Sequence, residues 1–257
     1  MISLNVFTKT PQAHARPAPT PASDRYRDQV EEFIAEAARR ERRGDPRWEP
    51  FELEPALVHS LQRFQVGEDG DGAQLIAKAD AAGDPSYALA ARLFVAEERN
   101  HARQLRLLLA AGGAGTLTGH WTDAAFVRVR RLLGLRLELM TLMIAEAVAL
   151  RYYRALRDGA REPLVREVAG RILADEERHV PFHCRRLSEG WAGTSARTRR
   201  VVAAAWRAGL VAAGLVVVWD HGAALRACGV GRGEFVRDLA RSGGPLSVAL
   251  VNPHPSR

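Results

Sequence analysis

The chain has 257 residues, of which 47% are hydrophobic and 26% charged, a composition typical of a globular protein with one sizeable core. The net charge is +7, carried mostly by arginine, and no basic block alternates with aromatic residues, so the composition does not favour a nucleic-acid-binding protein. The two cysteines, Cys184 and Cys228, form no CxxC pair and indicate no disulfide framework. We see no signal peptide and expect a cytoplasmic protein.

The hydrophobic pattern predicts helices throughout the chain, with no strand alternation between turn signals. Residues 1–22 contain four prolines and no periodicity, which indicates a disordered tail. We expect a single helical domain over 23–245 and a second tail over 246–257. The predicted helices span residues 24–43, 55–82, 85–111, a short stretch from 122, 133–158, 163–188, 195–227 and 231–241.

The longest apolar run is "AGLVAAGLVVVW", residues 208–219, which Arg207 interrupts and Asp220 ends. A helix needs about 20 apolar residues to cross a bilayer. The run is shorter than this, so it predicts a buried helix rather than a membrane span, and we expect no membrane association.

The stretch "RILADEERHVPFHCRRL", residues 171–187, places ionisable groups on an apolar helix face. Residues three, four and seven apart share one face of a helix, so Glu176, His179 and His183 lie on the same stripe as Leu173 and Ile172. Burying a charge is costly unless it is paired or bound to a metal. The stripe therefore predicts partners elsewhere in the chain.

An earlier segment, "RLFVAEERNHARQL", repeats this spacing with Glu98 and His101. Each Glu-x-x-His pair has a glutamate 30 residues upstream in apolar surroundings, which are Glu68 for the first pair and Glu146 for the second. The whole unit recurs at an offset of 78 residues. Thirty residues suit two antiparallel helices joined by a tight turn, with the sites facing each other halfway along.

Four carboxylates and two imidazoles in one core would repel and desolvate one another, and two divalent cations would neutralise the four charges. Carboxylate and imidazole ligands suit iron and manganese, and zinc also accepts them. The sequence thus predicts two metal ions bound by six residues, namely Glu68, Glu98, His101, Glu146, Glu176 and His179.

On these residues the chain resembles the ferritin-like diiron-carboxylate superfamily over about residues 55–188, in particular its oxidase and oxygenase members. The resemblance implies an all-α, ferritin-like four-helix bundle, here with additional N-terminal and C-terminal helices. Several oxygen-activating members carry Asp-Glu-x-Arg-His, which matches residues 175–179. The resemblance therefore implies that Asp175 and Arg178 support the metal ligands, with Asp175 orienting a ligand histidine. The first motif departs from this pattern, with Glu97 and Asn100 in those positions.

Other residues are candidates for the surroundings of the metals. His183 is expected to line the pocket rather than to bind metal. Phe94 lies on the first motif's stripe, and Tyr153 follows Glu146 by seven residues, as a core tyrosine or a redox-active one. Pro181 should kink its helix. Asp69 and Asp71 flank Glu68 and are interpreted as alternate ligands. Asp220 and His221 are interpreted as structural residues.

The function expected from the resemblance is a diiron enzyme that uses O₂ to oxidise a small organic substrate in the bundle core. Electrons would come from an external donor or from the substrate, and we expect a monomer or homodimer. The alternatives are an iron-handling or peroxide-scavenging protein of ferritin or rubrerythrin type, and a diiron hydroxylase acting on tRNA. A scaffold with a structural metal is less favoured, because structural sites rarely need four carboxylates.

Overall fold

The computed structural model of the protein describes residues 25–119 and 134–251. Within these residues the chain forms helices and no strands, which confirms the all-α class. The predicted tail at 1–22 and the predicted short helix from residue 122 lie outside the described residues. The helices are α1 Arg27–Arg43, α2 Pro55–Glu68, α3 Ala73–Ala81, α4 Pro85–Ala111, α5 Leu135–Gly159, α6 Pro163–Gly190, α7 Ala196–Asp220, α8 Gly222–Ala227 and α9 Arg232–Val251.

The helix starts follow the local sequence. Helices α2, α4 and α6 each begin at a proline, whose fixed φ suits the first turn and whose missing N–H is not needed there. Asp84 caps α4 by accepting a hydrogen bond from the backbone N–H of Tyr87 at 3.0 Å. These signals set where the ligand-bearing helices begin.

The helix predicted over 55–82 is wrong as a single element, because the chain breaks after Glu68 and resumes at Ala73. Gly72 precedes the new helix with a φ of +63°, in the left-handed region that other residues adopt at a cost. A Cβ added at Gly72 would lie 2.4 Å from Val95 Cγ1 on α4. The glycine is therefore required both by its backbone conformation and by the close approach of α4.

Two C-terminal predictions also change. The helix predicted over 195–227 divides at His221 into α7 and α8, although the backbone N–H of His221 still bonds the carbonyl of Val217 at 2.7 Å. The helix predicted over 231–241 extends to Val251, so the predicted tail at 246–257 begins inside a helix. Gly243, Gly244 and Pro245 lie inside this helix and do not stop it.

Four helices position the candidate site. Helix α5 packs along α6 after the short connection at 160–162, which matches the predicted antiparallel pair. Helix α2 packs on α4, and α4 also contacts α6. The first pair is not a simple hairpin, because α3 intervenes and Glu68 lies at the last residue of α2 rather than halfway along. Helix α1 packs on α4 from outside this group.

Helix α7 packs against α9 and is long and apolar enough, by length and composition, to cross a membrane. Only 28% of the most apolar 18-residue stretch of α7 is buried. The prediction that residues 208–219 are buried is therefore only partly right. Successive residues of a helix point to different sides, so an unbroken apolar run cannot be buried all round unless every side is covered. One side of α7 faces outward. The large apolar side chains exposed on α7 are Val201, Leu215, Val216 and Trp219.

Candidate metal centre

The structure brings all six predicted ligand residues into one cluster where α2, α4, α5 and α6 meet. One group of ligand atoms, mutually within 4.8 Å, comes from Glu68, Glu98, His101 and Glu176. A second group with the same spacing comes from Glu98, Glu146, Glu176 and His179. Glu98 and Glu176 belong to both groups, so the arrangement consists of two adjacent four-ligand positions with two shared carboxylates.

The cluster is almost completely removed from solvent. His101 and His179 are 0% exposed and Glu176 is 1% exposed. Glu68 and Glu146 are also buried, whereas the side chain of Glu98 retains 19% exposure. Glu98 is therefore the ligand through which the cluster is nearest to solvent.

The buried carboxylates of the cluster have strongly perturbed pKa values. Burial raises the pKa of Glu68 well above its usual range, and the nearby carboxylates of Glu98 and Glu176 raise it further. Burial likewise raises the pKa of Glu146, with Glu176 adding to the effect. Burial also acts to raise the pKa of Glu176, but the imidazoles of His101 and His179 hold it well below its usual value.

Several buried ligand atoms have no hydrogen-bond partner among the described residues. They include the Nδ1 of His101, the Oε1 of Glu98 and the Oε2 of Glu146. Such atoms are rare in native proteins and are accounted for by an ion or a water at that point. The donor set, with carboxylate oxygen and imidazole nitrogen, is the one that iron, manganese and zinc accept. The residues present therefore fit a pair of divalent metal ions.

Each histidine is held by a carboxylate at the nitrogen that faces away from the cluster. His101 Nε2 lies 3.0 Å from Asp175 Oδ2, and His179 Nε2 lies 3.0 Å from Glu97 Oε2. The Nδ1 of each ring faces the ligand glutamates, at 3.4 Å from Glu176 Oε1 for His101. In the neutral ring that a metal requires, Nε2 donates to the carboxylate and Nδ1 carries the lone pair. A carboxylate that fixes the tautomer in this way is typical of metal-binding histidines.

The pairing of carboxylate and histidine crosses between the two motifs. Asp175 precedes the second motif's Glu176 but holds the first motif's His101, whereas Glu97 precedes Glu98 but holds His179. The predicted role of Asp175 in orienting a histidine is consistent with this geometry. The first motif's departure from aspartate to glutamate at residue 97 leaves the contact intact.

Two arginines bind the outer sides of these carboxylates. Arg40, on α1, contacts Asp175 Oδ2 at 2.9 Å and also binds Glu97. Arg178 binds Asp175 and lies 3.6 Å from Glu97 Oε1. Burial acts to raise the pKa of Asp175. His101 outweighs it with the help of Arg40 and Arg178, so the pKa lies below its usual range. Asp175 and Glu97 are thereby kept ionised, as hydrogen-bond acceptors for the histidines.

The predicted neighbours of the site lie against it in different ways. Tyr153 donates its hydroxyl hydrogen to Glu68 Oε1 at 2.7 Å. The Phe94 ring packs edge-on against His179 and against His183, at 4.7 and 4.6 Å between ring centroids. His183 is fully buried and packs on Phe182, and it belongs to neither ligand group. Pro181 lies inside the continuous helix α6.

The remaining acidic candidates lie away from the cluster. Asp69 and Asp71 are exposed, and Asp71 Oδ1 accepts from the backbone N–H of Ala73 at 3.0 Å, so it stabilises the start of α3. Asp220 binds Arg63 at 2.6 Å, and His221 Nδ1 lies 2.9 Å from Ser60 Oγ. These two contacts join the end of α7 to α2, in keeping with a structural role.

Two residues that support the cluster were not among the predicted site residues. Glu97 is the repeat counterpart of Asp175, 78 residues upstream, so the internal repeat carried a signal for it. Arg40 lies on a helix outside the repeat, and no spacing relates it to the motifs. Only the packing of α1 on α4 reveals that it reaches the carboxylates.

Comparisons with known proteins add no relative. No family model matches the chain, and neither the curated proteins nor the solved structures contain a significant match. The inference of function therefore depends on the geometry of the site.

Proposed function

We propose that this chain is a ferritin-like di-metal enzyme that binds two iron ions, with manganese as the alternative metal, and uses O₂ to oxidise a small organic substrate. The observation that carries the proposal is the pair of adjacent four-ligand positions that share Glu98 and Glu176. Two metal ions held through these shared carboxylates would lie close enough to act on one small molecule. Ligand sets of this composition on four helices are those of the di-metal carboxylate proteins.

The chemistry of the ligands favours redox-active metals over a structural ion. Structural zinc sites are tetrahedral and rich in cysteine and histidine. Here each position combines three carboxylates with one imidazole, and the described cysteines lie outside both groups. A pair of iron ions, when bound, supplies electrons to O₂ and the oxidising power to attack an organic molecule.

The protein's own residues position ligands and control protons. Asp175 and Glu97 hold the Nε2 hydrogens of the two histidines, so that each Nδ1 points into the cluster. Tyr153 holds its proton against Glu68 Oε1 and can donate it at that position. Phe94 and the other aromatic rings around His179 exclude water from the apolar side of the cluster. Glu98, the least buried ligand, has the most freedom to change its mode of binding.

Metal content tests the ligand assignment. Ferrous reconstitution of the full chain without oxygen should give about two irons per chain by elemental analysis. Glu176→Ala should lose most of this metal, because Glu176 belongs to both positions. Glu177→Ala is the matched control, since Glu177 is exposed, follows in sequence and pairs only with Arg154 among the described residues. Equal metal content in the two variants would refute the assignment.

Turnover separates an enzyme from an iron store. An enzyme should consume O₂ repeatedly when a donor and a suitable organic substrate are supplied, and gel filtration should show a monomer or dimer. An iron-handling protein would instead accumulate iron far beyond two ions per chain or assemble into a large particle. The same metal site serves both classes, so these measurements rather than the ligand set decide between them.

A further inference from the structure

A surface cleft lies on the outer side of the network that holds the two histidines. It has a volume of about 260 Å³ and lies between the end of α1, the middle of α4 and Arg171 on α6. Four arginines line it, with two acidic residues, Glu41 and Asp45, so its lining carries more positive than negative charge. This volume is slightly below the usual range for drug-sized ligands, about 300–1,000 Å³, so the cleft suits a smaller molecule.

A buried amide in the cleft points to a ligand. Gln104 lines the cleft and is 3% exposed, and its Oε1 is buried with no hydrogen-bond partner among the described residues. Leaving a buried amide oxygen unbonded destabilises a protein unless something else satisfies it. A fold that needed only packing here would be served better by leucine.

The arginines of the cleft have partners that an anion could replace. Arg103 forms a two-point ion pair with Asp45, and Arg171 pairs with Glu167 and donates to the carbonyl of Gly44 at 2.7 Å. Asp45 and Glu167 are 41% and 48% exposed, so water already competes for both carboxylates. Arg43 lies at the exposed end of α1. Guanidinium groups present several N–H donors in a planar fork that matches carboxylate and phosphate oxygens.

We propose that this cleft binds a small anion carrying a carboxylate or phosphate group, and that the bound anion is sensed by the metal centre through Arg40. Arg40 lines the cleft and binds Glu97 and Asp175, the two carboxylates that hold His179 and His101. An anion that draws the guanidinium outward weakens its hold on these carboxylates. The binding site stands independently of the activity proposed above, whereas its coupling to the metals rests on that proposal.

Calorimetric titration of the metal-free full chain tests the site. The probes are inorganic phosphate and succinate, compared with chloride at equal ionic strength. At least one probe should bind, and the preferred one identifies the anionic group as phosphate or carboxylate. Arg43→Ala should weaken binding about tenfold, which corresponds to about 1.4 kcal/mol. Arg42→Ala is the matched control, because Arg42 is the exposed neighbour on the same helix and does not line the cleft.

A second variant guards against loss of folding. Gln104→Leu keeps the side-chain size and should weaken anion binding while leaving thermal unfolding unchanged or raised. Failure of both probes to bind more tightly than chloride would overturn the site, as would equal weakening by Arg42→Ala and Arg43→Ala, or full binding by Gln104→Leu.

The coupling has its own readout. In the cobalt-substituted protein, the preferred anion should shift the visible absorption of the bound metal, and Arg43→Ala should require about tenfold more anion for the same shift. Anion binding with an unchanged cobalt spectrum would overturn the coupling but leave the site intact. Failure to bind cobalt at all would instead refute the metal centre, so the two proposals fail in distinguishable ways.

Discussion

Arg40 offers the sharpest test of how the metal centre is held, because one side chain from outside the four ligand-bearing helices binds both supporting carboxylates. Its guanidinium contacts Asp175 Oδ2 at 2.9 Å and also Glu97, and those side chains are only 3% and 2% exposed. Arg40→Met keeps the apolar stem and removes the charge. It should leave two buried carboxylates with fewer partners.

The expected loss follows from the partners that remain. Removing one member of a buried ion pair costs about 3–5 kcal/mol. Arg178 still binds Asp175 and lies 3.6 Å from Glu97 Oε1, so we expect the lower end, about 3 kcal/mol, for the metal-free protein. Metal affinity should fall about 10–100-fold, the usual effect of losing a group that orients ligands.

Urea unfolding measures the first quantity, and competition with a chelator for bound metal measures the second. The control is Arg39→Met, which removes the same charge from the neighbouring position, where Arg39 is 53% exposed and pairs with Glu36. Surface substitutions usually change stability by less than about 0.5 kcal/mol. A difference of less than about 0.5 kcal/mol in free energy of unfolding between the two variants, together with equal metal binding, would refute this prediction. Arg40 would then not hold the carboxylates that orient the histidines.

Three further predictions concern protons and the segment around Glu68. The metal-free protein should lose stability as pH rises, from about 4.5 through Glu68 and Glu146 and from about 6.5 through His101 and His179. The raised pKa values of these four groups leave the folded state holding more protons than the unfolded chain. Between its unfolded and folded pKa values, each group lowers the free energy of unfolding by up to about 1.4 kcal/mol per pH unit. Urea unfolding measures this decline, and the metal-loaded protein, whose ligands are deprotonated, should lack it. Gly72→Ala should destabilise the fold by about 1–3 kcal/mol, since its Cβ meets Val95 and its φ is positive, whereas Gly70→Ala, which meets nothing within 4 Å, should not; equal thermal unfolding of the two would contradict the close approach. Hydrogen exchange should show residues 66–73 gaining more protection on metal loading than the segment around Glu146, because Glu68 ends α2 just before the break; equal gains would favour close packing alone.

The sequence by itself determined the ligands to a large extent. The Glu-x-x-His spacing puts both side chains on one helix face, and its repetition with an upstream glutamate identified six residues that the fold does bring together. Helical periodicity also established the all-α class, because no segment alternates with the period of a strand. These are local or repeated patterns, which a chain carries regardless of how its elements pack.

Tertiary structure decided what local patterns do not encode. The need for glycine at residue 72 comes from the approach of Val95 on α4, and the exposure of Trp219 depends on which face of α7 meets α9. The crossed pairing of Asp175 with His101 requires two helices to be in contact, and the reach of Arg40 requires a third packed outside them. Long-range contacts of this kind arise from packing between segments distant in sequence, so no spacing along the chain predicts them.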